Sequence, residues 1–225
     1  ETLMQHRADG LIMCPSVGTE PAEVLRVARS GLPLVMICRD IGEIGVPVVR
    51  GDDFAGALAL TRHLIERGHR RIAFVGGRRQ TSAGRERHAG YVAAHAEAGI
   101  EIDPALDVPE AMTQRAGRDA VAGLLALSRR PTAIFGFNDL VALGLMSALR
   151  RHGIEPGRDI AVAGYDNTDG AAWTTPALTS VDNVPGPIGA TAAALLRDQI
   201  AGLPVRTERI LIAPELIVRE STRPN

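Results

Sequence analysis

Pro131 to Asn167, PTAIFGFNDLVALGLMSALRRHGIEPGRDIAVAGYDN, is the stretch from which the fold of the chain is read. Ala133 to Phe137 is a short unbroken apolar run, the pattern of a strand covered on both faces. Asn138 ends that strand and starts a helix. Its side-chain oxygen suits an N-cap, and Asp139 puts negative charge in the first turn, where the helix dipole favours it. Val141, Leu145 and Leu149 recur at helical spacing, so one face is apolar and lies on the sheet. Arg150, Arg151 and His152 suit the last turn, and Gly153 is placed to stop it in the left-handed conformation. Ile160 to Gly164 is the next strand and ends on Tyr165-Asp166-Asn167. The result is a βαβ unit. In an open parallel sheet, ligands bind beyond the carboxyl ends of the strands, and Asn138 and Asp166 both stand there. An amide beside a carboxylate offers hydroxyl groups both partners they need. Taken singly, each residue has an equally plain local role: Asn138 caps a helix, and Asp166 closes a turn.

The rest of the composition narrows the class. With 225 residues, 45% hydrophobic and 23% charged, the chain suits one large globular domain or two small ones. A net charge of −1, with scattered basic residues, all of them Arg, argues against these residues gripping a nucleic-acid backbone. No apolar run approaches the roughly 20 residues that cross a bilayer, so no membrane partner is expected. No signal peptide is visible at ETLMQHRADG, which leaves the cytoplasm as the expected location. Aromatics are only 3%, so the core must be built from Val, Ile, Leu and Ala. Cys14 and Cys38 each end an apolar run, GLIMC and PLVMIC, and buried reduced thiols are the plain reading.

Along the chain, strand and helix alternate. Residues 1–9 read as the tail of a helix, Leu11 to Cys14 as a strand, Pro21 to Ser30 as a helix and Pro33 to Cys38 as a strand. After an irregular stretch with a short strand at Val46 to Val49, Asp52 or Asp53 caps a helix reaching Arg67. Arg71 to Gly76 follows as a buried strand. Gly76-Gly77-Arg78-Arg79 looks like a phosphate loop but lacks both nucleotide-binding spacings. The helix from Ala83 to Ala98 carries Arg87 near its positive end, an unfavourable place for a cation unless it has another partner. Thr113 to Ser128 is a helix, Gly170 to Ala177 an irregular stretch holding Trp173, Leu178 to Val181 a strand and Pro187 to Ala201 a helix. Strands at Arg209 to Ile212 and Leu216 to Val218 close the chain, separated by Pro214. The expected class is α/β, with parallel doubly wound sheets and right-handed crossovers.

Several segments together resemble a known family: RADGLIMCP, PLVMICRD, GALALTRHLIERGHRRIAFVGG, RERHAGY, PTAIFGFNDLVALG, DIAVAGYDN, PALTSVDN and PELIVREST. In this order they are similar to the effector-binding core of LacI/GalR-type bacterial transcription regulators, relatives of periplasmic sugar-binding proteins. The resemblance implies two Rossmann-like lobes joined by three crossing strands, with ligand in the cleft between them. The first lobe would hold 1–51 and 185–213, and the second 52–184 and 214–225. It also implies a helix-turn-helix headpiece and a first strand-helix-strand unit upstream of these residues, so the natural polypeptide is expected to be longer, with DNA contact outside this stretch. By the same resemblance Arg87, Asn138 and Asp166 bind a sugar-like effector. Asn183, after TSVD, is a further candidate.

Where some sugar-binding members carry polar residues at the ends of the first lobe's strands, this chain has Cys14 and Cys38. Either the effector presents a less polar face there, or the thiols respond to oxidation or metal. The resemblance further implies a homodimer, for which Ala142, Leu143, Met146 and Trp173 are interface candidates, with core packing as the alternative for the same apolar face. Effector binding would shift how two subunits present their headpieces to operator DNA. A periplasmic binding protein for transport is the rival reading of the same architecture. An enzyme is not expected, because no nucleophile-base pair, metal spacing or dinucleotide fingerprint is present; neither cofactor nor metal is called for.

Overall fold

The computed structural model describes residues 8–204 and 207–223. The expected helix tail at residues 1–9 lies mostly outside them, and Ala8 and Asp9 are not helical. The chain divides into two compact units. Unit 1 takes in residues 1–52 and 184–213, and unit 2 residues 53–183 and 214–225, so the backbone crosses between them at Asp52, Asn183 and Ala213.

Unit 1 holds a parallel four-stranded sheet in the order β1-β2-β3-β9, made of β1 (Leu11–Met13), β2 (Leu34–Ile37), β3 (Val48–Gly51) and β9 (Arg209–Ile212). Side chains alternate across it. Leu34, Met36 and Val48 face α1 (Pro21–Arg29) through Val24, Val27 and Ala28. Val35 and Val49 face α7 (Pro185–Ile200) through Ile188 and Ala192. β1 is an edge strand, with Ile12 partly exposed.

Unit 2 is built on six strands in the order β10-β8-β7-β6-β4-β5. They are β4 (Ile72–Val75), β5 (Asp107–Val108), β6 (Ala133–Gly136), β7 (Ala161–Tyr165), β8 (Thr179–Asp182) and β10 (Glu215–Ile217). The sheet is parallel except that β10 runs antiparallel to β8, a departure from the all-parallel expectation. Pro214 therefore does more than split two closing strands: β9 belongs to one unit and β10 to the other. One face packs Ala73, Val75, Ile134 and Val162 against α4 (Gln114–Ala126) and α5 (Asp139–Arg151). The other packs Ile72, Phe74, Phe135 and Ala163 against α2 (Asp53–Glu66) and α3 (Ser82–Glu97), through Ala57, Leu60, Leu64 and Tyr91. Residues 170–177 are not wholly irregular, since α6 (Asp169–Ala172) occupies their start.

Two of the interface candidates need correcting. Ala142 is fully buried and Met146 is 1% exposed, both in the core under α5. Each follows directly on a stripe residue, Val141 or Leu145, and the buried face of a helix against a sheet is wide enough to take both. Leu143 is half-buried, and Trp173, just past α6, is 86% exposed.

Candidate functional site

Strands β6 and β7 are neighbours in register, Phe135 opposite Ala163, so their carboxyl ends open side by side at Phe137-Asn138 and Tyr165-Asp166. Helix α3 brings Arg87 to that end. Thr81 caps the helix by accepting from the Gly84 N–H, and Arg87 is only 4% exposed. Its Nε donates to Asp53 Oδ1 at 2.7 Å, Nη1 to the Phe137 carbonyl at 2.8 Å and Nη2 to Asp166 Oδ1 at 3.2 Å. The guanidinium also lies over two rings, 3.6 Å from the centre of Tyr165 and 4.7 Å from that of Phe137. Burial works against its charge, but Asp53, Asp166 and Tyr165 outweigh it and hold its pKa above the ordinary arginine value. The misplaced cation near a helix N-terminus thus has its partners: two carboxylates from distant parts of the chain.

The two carboxylates differ in setting. Asp53 is shut in at 3% side-chain exposure, whereas Asp166 keeps 38%. Desolvation raises the Asp166 pKa, Arg87 pulls it back down, and the Asp53 charge pushes it up again. The backbone presents Asp166 in the left-handed region, φ 99°, followed by Asn167 at φ 46°. That conformation is held from several sides. The Asp166 N–H donates to the Val181 carbonyl, the Asn167 N–H to Ser180 Oγ, and Asn167 Nδ2 to Asp182 Oδ2 at 2.9 Å. Arg219 donates to Asn167 Oδ1 at 2.7 Å. Beneath the loop, fully buried Asp139 accepts from the Thr168 N–H at 2.7 Å, from Thr168 Oγ1 at 3.0 Å and from Ser180 Oγ at 2.6 Å. Burial raises the Asp139 pKa, and these donors oppose the rise.

Asn138 does cap α5, its Oδ1 accepting from the Val141 N–H at 2.9 Å, while its half-buried amide nitrogen has no hydrogen-bond partner among the described residues. The Gly76-Gly77 loop is not a phosphate loop. Both glycines have positive φ, 111° and 79°, and a Cβ on either would strike the Phe137 ring or its Cβ, so they make room for a wall of the Arg87 site. Arg87, Asn138 and Asp166 are therefore brought to one end of one sheet. Asn183 follows β8, with its Oδ1 buried and without a hydrogen-bond partner, and makes no described contact with those three. In unit 1, Cys14 is exposed rather than buried and Cys38 is half-buried, which corrects the plain reading of both as interior thiols.

Sequence reading overlooked Asp53 as a partner of Arg87, seeing a cap where there is a buried counterion. It also took Asp139 for a dipole partner only. The signal available was an acid at the start of a largely apolar helix, and it is buried there along with Thr61 and His63.

Comparison with known proteins decides the family. Residues 61–222 match the model of the periplasmic binding protein-like domain. The chain is 35% identical over 223 residues to the HTH-type transcriptional repressor CytR of Escherichia coli, covering 99% of this chain and 65% of that protein. It is 30% identical over 226 residues to the repressor PurR of Mannheimia succiniciproducens, covering 99% and 67%. The chain belongs to the LacI/GalR family of transcription regulators. It spans about two thirds of the length of the curated relatives it matches, and corresponds to the family's effector-binding core. Among solved LacI-family structures, CcpA of Lactococcus lactis matches with a TM-score of 0.87 at 28% identity, covering 99% of this chain and 81% of that one. The CelR–cellobiose complex matches at 0.85 and 32% identity, covering 98% and 68%.

Proposed function

We propose that this LacI/GalR core senses a small, uncharged, hydroxyl-rich metabolite held by Asp166, Asn138 and Arg87. Binding would govern a DNA-binding headpiece carried elsewhere on the polypeptide, in the cytoplasm and without catalysis. The observation that carries this reading is the Arg87 cluster: a buried guanidinium fixed by Asp53 and stacked on two rings, with the Asp166 carboxylate left half open beside an unpartnered amide. Asp166 accepts from ligand hydroxyls, Asn138 donates, and Arg87 keeps Asp166 oriented. The CelR–cellobiose complex, a structural relative, has a sugar as its ligand and supports the same class.

Charge narrows the class further. The Arg87 guanidinium is already engaged by Asp53 and Asp166, and the most open group of the three is the Asp166 carboxylate, so a phosphorylated or carboxylated ligand would meet repulsion there. A thermal-shift panel of neutral sugars, polyols and purines, set beside the corresponding sugar phosphates, tests this. A ligand at 100 times its Kd adds about 2.7 kcal/mol of apparent stability. The expected hits are neutral, and Asp166→Ala should weaken them about 10- to 150-fold, the weight of one hydrogen bond to a charged group. A preference for phosphorylated ligands, or a hit that ignores Asp166→Ala, would overturn the reading. We further propose that the regulator acts as a homodimer, with Trp173 and Leu143 at its interface.

A further inference from the structure

We propose that Cys14 and Cys38 form a hydroperoxide-reactive dithiol, in which Cys14 is the attacking thiolate and Cys38 resolves the product into a disulfide within unit 1. They are the only two cysteines in the chain, and they lie where two adjacent parallel strands end. Met13 of β1 stands opposite Met36 of β2, so continuing the register puts Cys14 opposite Ile37, with Cys38 one residue further on. Strand spacing and rise then place their Cα atoms about 6 Å apart, inside the range that a disulfide spans.

Simple alternation would send the Cys38 side chain to the opposite face from Cys14. The backbone prevents this. Cys38 has φ 64°, and the Arg39 N–H donates to the Ile37 carbonyl at 2.7 Å across it, a tight γ-turn that breaks the strand while the Cys38 N–H still bonds Val49. The turn re-aims the Cys38 side chain, and the Cys38 thiol, as a hydrogen-bond donor, favours the thiolate of Cys14. Arg39 is held close as well, its Nη1 donating to the Pro15 carbonyl at 2.9 Å, next in chain to Cys14.

These contacts set the reactivity. The Cys38 hydrogen bond, with a smaller contribution from the Arg39 charge, lowers the Cys14 pKa to about 6, against the opposing effect of partial burial. Cys14 is also exposed to solutes. An exposed, acidic thiol beside a second thiol is the arrangement of cysteines that are oxidised reversibly, whereas structural thiols are buried and inert. In the first step the Cys14 thiolate attacks one oxygen of hydrogen peroxide. The O–O bond breaks, and hydroxide leaves and takes up a proton as water, giving Cys14 sulfenic acid. In the second step the Cys38 sulfur, losing its proton, attacks the Cys14 sulfur and expels the hydroxyl as a second water. Two thiols and one peroxide become one disulfide and two waters, and the two sulfurs supply the two electrons. Small-molecule or protein thiols would reverse the change by exchange. None of this needs an effector, so it stands apart from the ligand assigned to unit 2.

At pH 7 a thiol of pKa about 6 is about nine-tenths thiolate, roughly 30 times the fraction of an ordinary cysteine at about 8.5. The gain in rate is smaller, because a more acidic thiolate is a weaker nucleophile. The decisive readout is therefore a pH midpoint together with the product. The full chain is alkylated with monobromobimane across pH 4–10, and separately treated with hydrogen peroxide, blocked and digested without reductant. The expected results are a Cys14 alkylation midpoint near pH 6 and a peptide pair joined through Cys14 and Cys38. Cys38→Ser should move the midpoint up and leave a sulfenic acid at Cys14 that a cyclic dione traps. A midpoint near 8.5 in the unaltered chain overturns the proposal. So does a dione adduct on Cys38 in Cys14→Ser that equals the one on Cys14 in Cys38→Ser, or the absence of the linked pair when free glutathione in the same tube is oxidised. The first and last of these need no variant, so a folding failure in either substitution does not blunt the test.

Discussion

Replacing Arg87 by Leu would leave Asp53, 3% exposed, as a buried carboxylate without its guanidinium. Breaking one side of a buried ion pair costs about 3–5 kcal/mol, whereas replacing both sides with neutral groups costs far less. Urea denaturation should show that loss for Arg87→Leu and recover much of it in the double variant with Asp53→Asn; equal stability of the single and double variants would mean that Asp53 is not the group stranded. Asp166 yields a pH prediction with two opposite signs. Its pKa is raised in the folded protein, so what it contributes to stability is fully present below the ordinary carboxylate range and is lost as pH rises through the raised value. The acceptor role proposed for it runs the other way, because affinity would fall as pH drops through that same value. Titrating ligand binding at decreasing pH should therefore show affinity lost before the fold is, and sooner than an ordinary aspartate would give; binding that tracks unfolding would discard Asp166 as the acceptor. The sequence made Arg87 legible because it breaks a local rule, a cation at a positive helix end, and Asp166 because it stands at the carboxyl end of a buried strand, where ligands bind an open sheet. Asp53 obeyed the local rules, and its partner lies 34 residues away, so only the fold reveals it.

Among the elements, the crossing of α4 and α5 shows what periodicity reads and what it leaves out. The stripe Val141, Leu145, Leu149 located the helix and its buried face, but it did not show how closely the neighbouring helix approaches. Glycines set that distance. A Cβ on Gly117 would overlap the Val141 carbonyl oxygen, and one on Gly144 would overlap that of Gln114 and come within 3.1 Å of the Arg118 nitrogen. Because both obstacles are backbone, no side chain can move aside. Gly144→Ala should cost about 1–3 kcal/mol as overpacking. Gly123, on the exposed side of α4, has nothing within 4 Å of an added Cβ, so Gly123→Ala should stabilise by about 0.5–1 kcal/mol through helix propensity. Thermal melts of the two variants should shift in opposite directions; a shared direction would mean that propensity, not contact, decides at Gly144. The same blindness to distance explains the correction at Ala142 and Met146, since an apolar helix position reads alike whether it meets the sheet or a second subunit. β10 shows a different limit: two short strands around Pro214 look like a pair from their residues, the resemblance to the family assigns them to different lobes, and neither shows that β10 runs antiparallel to β8.

For the whole molecule, the outstanding apolar feature of the described surface is Trp173, 86% exposed at the end of α6, with Leu140 51% exposed on the neighbouring α5. A tryptophan buries more apolar area than other side chains when it is covered, so leaving it in water is costly unless a partner covers it. In a two-fold dimer the same patch meets itself, and each copy supplies its Trp173 to the other. Such a dimer would also be able to present two DNA-binding headpieces to two half-sites. The chain has a single tryptophan, so its fluorescence reports this contact alone. On dilution from dimer to monomer, emission should move to the red as Trp173 returns to water, and sedimentation should show the mass halving over the same concentrations. Trp173→Glu should be monomeric throughout with an unchanged melting profile of unit 2, because the side chain contributes little to that core. Emission that does not vary with concentration, together with a Trp173→Glu protein that sediments like the original, would move the dimer contact to another face.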